Sequence, residues 1–142
     1  MDDLHGYYFE DLSEGMTASF GKTVSASDLC VFAGVSGDTN PVHLNEEFAA
    51  GTMFKTRIAH GMLGASFISA VFGTKLPGPG CIYVTQNLRF KAPVRIGDTL
   101  MARVTVKKLI PEKKFVEFET VCTVGEKVVT EGEATIMVPA RG

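Results

Sequence analysis

Apolar and polar residues alternate through most of the second half of the chain. "IYVTQNLRFK" (82 to 91) sets Ile82, Val84, Leu88 and Phe90 on one side and Tyr83, Thr85, Asn87, Arg89 and Lys91 on the other, with Gln86 the one polar residue on the apolar side. "TLMARVTVKKL" (99 to 109) continues the pattern through Leu100, Ala102, Val104 and Val106. A period of two predicts half-buried strands. "FVEFETVCTV" and "KVVTEGEATIMV" flank a Gly125-Glu126 pair, which predicts a hairpin.

The first half changes period. "TASFGKTV" (17 to 24) predicts a first strand. In "SASDLCVFAGVSG" (25 to 37), Ser25 stands three residues before Asp28 as in a capping box, and Leu29, Phe32 and Ala33 follow at helical spacing. Gly34 and Gly37 mark where that helix should end. Asn45 can cap one short helical turn in "NEEFAAG", ending near Gly51. "MLGASFISAVF" (62 to 72) is apolar almost all round, and a helix without a polar face must be wrapped by something. The expected class is α+β: a long antiparallel sheet curled around one buried helix.

Composition narrows the function. With 142 residues, 45% hydrophobic and 21% charged, the chain suits one domain spanning residues 1–142, without repeats or linker-like tracts. A net charge of -2 and a pI near 5.9 leave no electrostatic footprint for nucleic acid. The acidic start "MDDLHGYYFEDL" lacks the marks of a secretory signal, and no apolar run reaches the length of a membrane span, so a soluble cytoplasmic protein without a membrane partner is expected. The three cysteines, Cys30, Cys81 and Cys122, are far apart and have apolar neighbours; they read as reduced core residues.

Two short segments carry candidate chemistry. In "SGDTNPVHLN" (36 to 45), Pro41 removes a backbone donor and biases Asn40 away from helical geometry, which predicts a bent loop able to bring Asp38 and His43 together. A carboxylate and an imidazole sharing one water form a general acid/base pair. On the residues alone, an ordinary turn with local Asp and Asn side-chain bonds is the more economical account. In "RIAHGMLGAS" (57 to 66), a His60-Gly61 step opens the buried helix. Unpaired N–H groups there, approachable because residue 61 has no side chain, can polarise a carbonyl. The bland account is a tight helix entry with His60 as a cap-region side chain. His5, His43 and His60 lack zinc-type spacing, so no metal is expected, and "LPGPGC" (76 to 81) reads as a turn rather than a phosphate loop.

Taken together, "SGDTNPVHLNEEFA", then "IAHGM", then "GDTL" after a strand resemble the MaoC-like (R)-specific enoyl-CoA hydratases, the hydratase 2 group, over roughly residues 23–138. The resemblance implies the hot dog fold, a curved antiparallel sheet around a long central helix. It implies catalytic roles for Asp38 and His43, support from Asn40, an oxyanion-stabilising N–H at Gly61, and a site-facing position for Ser69. Where many members continue with Asp-Pro, this chain has Asn45-Glu46. The implied reaction is reversible addition of water to a trans-2-enoyl-CoA thioester, with no cofactor. The other readings are a 3-hydroxyacyl carrier-protein dehydratase, a thioesterase, and a non-catalytic acyl-CoA-binding module. A homodimer paired through its sheets is expected, with Phe72, Leu76 and Met137 as candidate tunnel walls. Arg89, Lys91 and Arg95, or Lys107, Lys108, Lys113 and Lys114, are candidate contacts for CoA phosphates.

Overall fold

The apolar segment after residue 60 forms α4 (Gly61–Thr74), and it buries Leu63, Gly64, Phe67, Ile68, Val71 and Phe72. These positions recur at three- and four-residue spacing and so share one face. A computed structural model, which describes residues 2–142, lays that face across a six-stranded antiparallel sheet. The strands are β1 (Thr17–Thr23), β2 (Ile82–Gln86), β3 (Arg89–Phe90), β4 (Thr99–Ile110), β5 (Phe115–Val124) and β6 (Lys127–Met137). Their spatial order is β1-β4-β5-β6-β2, with β3 also paired to β6. The remaining helices are α1 (Ala26–Ser36), α2 (Pro41–Leu44) and α3 (Glu46–Ala50).

The alternation predicted for β4 is realised, because Leu100, Ala102, Val104 and Val106 all point inward and are buried. Val116, Phe118 and Cys122 of β5, with Ala134 and Ile136 of β6, complete the floor. Phe72 meets Phe118 edge-on with centroids 4.8 Å apart, and Phe67 meets Phe20 at 5.3 Å. The helix backbone lies on the sheet at Gly64: a Cβ there would stand 3.4 Å from Leu100 Cδ2, and the Cys122 thiol donates to the Gly64 carbonyl at 3.6 Å. Gln86, the odd polar residue in its segment, donates from Nε2 to the hydroxyl of buried Thr120 at 3.0 Å, so each meets the other's need.

Four expectations change. Residues 82 to 91 do not make one half-buried strand; the run breaks at Asn87 and Leu88, and Ile82, Tyr83, Val84 and Thr85 are all exposed on an edge. The sheet covers only one side of α4, leaving Met62, Ser66, Ser69 and Gly73 as an open stripe. Pro41 does not keep its segment in a loop: it occupies the first turn of α2, where a missing N–H costs nothing. Cys30 is exposed on α1 rather than in the core; Cys81 is half-buried and Cys122 buried, and all three are free thiols. Ser25 and Asp28 form a reciprocal capping box, α1 runs through Gly34 and stops at Gly37, and Gly125-Glu126 joins β5 to β6.

The tightest backbone approach lies at Gly132, where an added Cβ would fall 1.9 Å from the Asn87 carbonyl oxygen. Gly132→Ala should therefore cost about 1–3 kcal/mol and lower the thermal midpoint by roughly 3–10 °C. Gly34→Ala, in the exposed interior of α1 with nothing within 4 Å of the new carbon, should raise the midpoint slightly. Thermal unfolding of both variants by circular dichroism checks the pair, and equal midpoints would refute the assignment.

Candidate active site

Gly37 ends α1 in the left-handed region, with φ of 81°, and turns the chain sharply toward Asp38. Residues 37 to 40 are then held by local bonds: the Asp38 N–H donates to Ser36 Oγ at 3.1 Å, and the Asn40 N–H donates to Asp38 Oδ1 at 3.2 Å. Asn40 caps α2 by accepting the Val42 N–H at 3.1 Å. That cap starts the single helical turn that carries His43. Asn40 thus supports the site through the backbone.

His43 is buried, and its Nδ1 lies 2.8 Å from the main-chain carbonyl of Ile58. A carbonyl only accepts, so Nδ1 carries the proton and Nε2 of the neutral ring is the bare nitrogen. His60 is also buried; its Nε2 donates to the main-chain carbonyl of Asp38 at 2.9 Å. The two imidazoles stack with centroids 3.8 Å apart and planes 25° from parallel. One ligating atom from each of Asp38, His43 and His60 lies within 4.8 Å of the others. Two histidines and a carboxylate so close invite a metal reading, but the ring geometry does not fit it. A metal bound by both rings must lie in both ring planes about 2.0–2.1 Å from each nitrogen, and two face-to-face rings offer no such point.

Beside this cluster a cavity of about 530 Å³ opens between the start of α4 and β3. Asp38, His60 and Gly61 line it together with Met53, Phe54, Met62, Phe90 and Leu100, so a few polar groups meet an apolar enclosure. His43 is not on the cavity wall; its ring stacks on that of His60. Gly61 begins α4, where the first N–H groups have no partner within the helix. The Phe90 ring packs so closely that a Cβ at Gly61 would be 2.8 Å from Phe90 Cδ1 and Cε1. Of the basic candidates only Lys91 lines the cavity, with its Nζ 3.4 Å from Glu131. Burial pushes the Cys122 thiol up to about 11, which keeps it protonated at neutral pH and unsuited as a nucleophile.

The structure therefore brings Asp38, Asn40, His43 and Gly61 to one place. Ser69 is exposed on the open stripe of α4 and is not on the cavity wall. Phe72 and Leu76 are core residues, and neither they nor Met137 line this cavity. Two contributors lay beyond sequence reasoning. Phe90 comes from a separate strand, and His60 looked like a cap-region side chain although its position before Gly61 was the available signal.

Residues 11–133 match the family model described as MaoC like domain. The chain is 69% identical over 141 residues to an (R)-specific enoyl-CoA hydratase of Rhodospirillum rubrum, covering 99% of this chain and 98% of that one. It is 50% identical over 141 residues to a 3-hydroxybutyryl-CoA dehydratase of Methylorubrum extorquens, covering 99% and 90% of the two chains. Among solved structures, the R-hydratase PhaJ1 from Pseudomonas aeruginosa superposes with a TM-score of 0.91 at 44% identity, covering 97% of this chain and 89% of that one. The sheet curved over α4 is thus a hot dog fold, and the chain belongs to the MaoC-like domain family.

Proposed function

We propose that this chain is an (R)-specific enoyl-CoA hydratase, a hydro-lyase adding water reversibly to trans-2-enoyl-CoA to give (R)-3-hydroxyacyl-CoA. The observation that carries this reading is the convergence of Asp38, His43 and the Gly61 end of α4 beside one largely apolar cavity. The relatives named for hydration and dehydration of CoA thioesters support the same substrate class.

In the proposed step a water lies between the Asp38 carboxylate and the bare Nε2 of His43. It gives a proton to this pair as its oxygen bonds C3 of the enoyl thioester. The C2=C3 π electrons move toward the thioester oxygen, where the unpaired N–H groups of α4, with Gly61 first, stabilise the enolate. A proton from the pair then reaches C2 and the carbonyl re-forms. The sum is one water added to one enoyl thioester, with Asp38 and His43 returned to their starting state. No cofactor enters the sequence of bonds. The dehydratase activity is the same path run backward.

Two copies are proposed to pair through β2, whose outer edge has no strand partner among the described residues and whose Ile82, Tyr83 and Val84 are exposed. A cytoplasmic location fits a soluble CoA-thioester enzyme, and among the described residues no helix is long and apolar enough to cross a membrane.

Asp38→Ala and His43→Ala should each keep the wild-type circular dichroism spectrum while lowering crotonyl-CoA hydration, followed at the enoyl absorbance, by roughly 10²–10⁴-fold. Near-normal rates in either would sink the assignment, and a crotonyl carrier-protein thioester turned over faster than the CoA ester would transfer it to the carrier-protein dehydratases. Gly61→Ala should cost activity by driving a methyl group into Phe90, and Gly61→Ala with Phe90→Leu should recover part of the loss; a double variant as poor as the single one would rule out the steric cause. Sedimentation equilibrium should give twice the 15.3 kDa chain mass, with Val84→Lys shifting the protein toward monomer. A monomeric wild type would rule out the pairing.

A further inference from the structure

The proposed hydration uses Asp38 and His43 but leaves His60 without a task. His60 is 3% exposed, and its Nδ1 is a buried side-chain nitrogen with no partner among the described residues. An unsatisfied buried acceptor is costly, so another property of this ring must offset it. Two such properties are present. Its Nε2–H holds the Asp38 carbonyl, and its face lies on the His43 ring.

The first contact is singular for the loop. Within residues 37 to 40, the bonds from Gly37 to Ala33, Asp38 to Ser36, Thr39 to Gly37 and Asn40 to Asp38 all stay inside the loop or reach back into the end of α1. Among the described residues, the His60 bond alone ties this segment to the α4 side of the site. His60 is itself well anchored. The preceding Ala59 N–H donates to Val94 at 2.7 Å, α4 begins immediately after it, and Phe32 of α1 flanks its ring at 4.9 Å.

We infer that His60 is a positioning residue for the reaction proposed above: one side chain that sets the height of Asp38 through its N–H and the plane of His43 through its face. The inference rests on that reading for its kinetic consequence. The residue type follows from the double demand. Phenylalanine supplies a face without a donor, glutamine supplies a donor without a face, and histidine supplies both. The Ile58 carbonyl fixes one edge of His43, and the His60 ring removes its remaining freedom to tilt.

The test compares His60→Ala, His60→Gln and His60→Phe. The alanine variant should lower kcat on crotonyl-CoA by roughly 10- to 100-fold with KM little changed, because the loss is one of geometry and not of substrate binding. Two signals independent of turnover divide the tasks. Hydrogen exchange of the residue 37–40 amides should quicken in the phenylalanine variant and stay near wild type in the glutamine variant. The nitrogen-15 resonances of His43 should report a single tautomer in the phenylalanine variant and a mixture in the glutamine variant. Wild-type kcat in folded His60→Ala, or a loss confined to KM, would overturn the inference. If the alanine variant does not fold, unchanged exchange and unchanged His43 resonances in the other two would overturn it. These two signals do not need turnover, so an inactive wild type would end the hydratase reading without touching them.

Discussion

The contact on which the rest depends is the close seating of α4 on the middle of the sheet. Gly64 lies over Leu100 and Cys122, and Phe67, Ile68, Val71 and Phe72 fill the hollow beyond it. Burying a side chain of this size contributes about 1.5–3 kcal/mol, so this face alone outweighs any one polar contact in the site. A rigid helix fixed along one face also has a fixed end. The unpaired N–H groups at the Gly61 end are therefore held at the cavity by core packing along the rest of the helix.

The side of the cavity that carries Asp38 is assembled differently. The short α2 and the turn before it have little core of their own; Asp38 is exposed, and α2 buries only His43. What locates them is a succession of side-chain and backbone bonds: Gly37 stopping α1, Asn40 capping α2, Ile58 holding one histidine, and Asp38 holding the other through its carbonyl. Hydrophobic packing sets the reference frame, and hydrogen bonds place Asp38 and the two imidazoles within it.

This division explains which parts were legible in the sequence. Caps and hairpins are local, so Ser25 with Asp28, Asn45 before α3 and the Gly125-Glu126 turn were readable from a few residues each. The alternation of β4 was readable through Val106 because β1 and β5 flank that stretch and one of its faces is buried. β2 carried a similar alternation, yet its burial depends on whether anything lies beyond the edge, which no periodicity reveals. The same holds for α4: its composition showed that it would be buried without showing that one chain covers only one side. Pro41 was ambiguous for a physical reason, since the ring that forbids a helix interior suits a helix start.

The site itself was only half legible. Asp38 and His43 were visible as chemistry because they are near in sequence, while the stack of His43 on His60 joins residues seventeen apart through a fold that had first to be built. That stack also decides what kind of chemistry the cluster can host. Two imidazoles and a carboxylate are a common metal set, and with converging ring planes these three could serve as one. Lying face to face they lose that option and keep another: a bare Nε2 on His43, near a carboxylate, in a ring whose Nδ1–H is held by the Ile58 carbonyl. The same restraint that disfavours a metal leaves a group suited to taking and returning one proton.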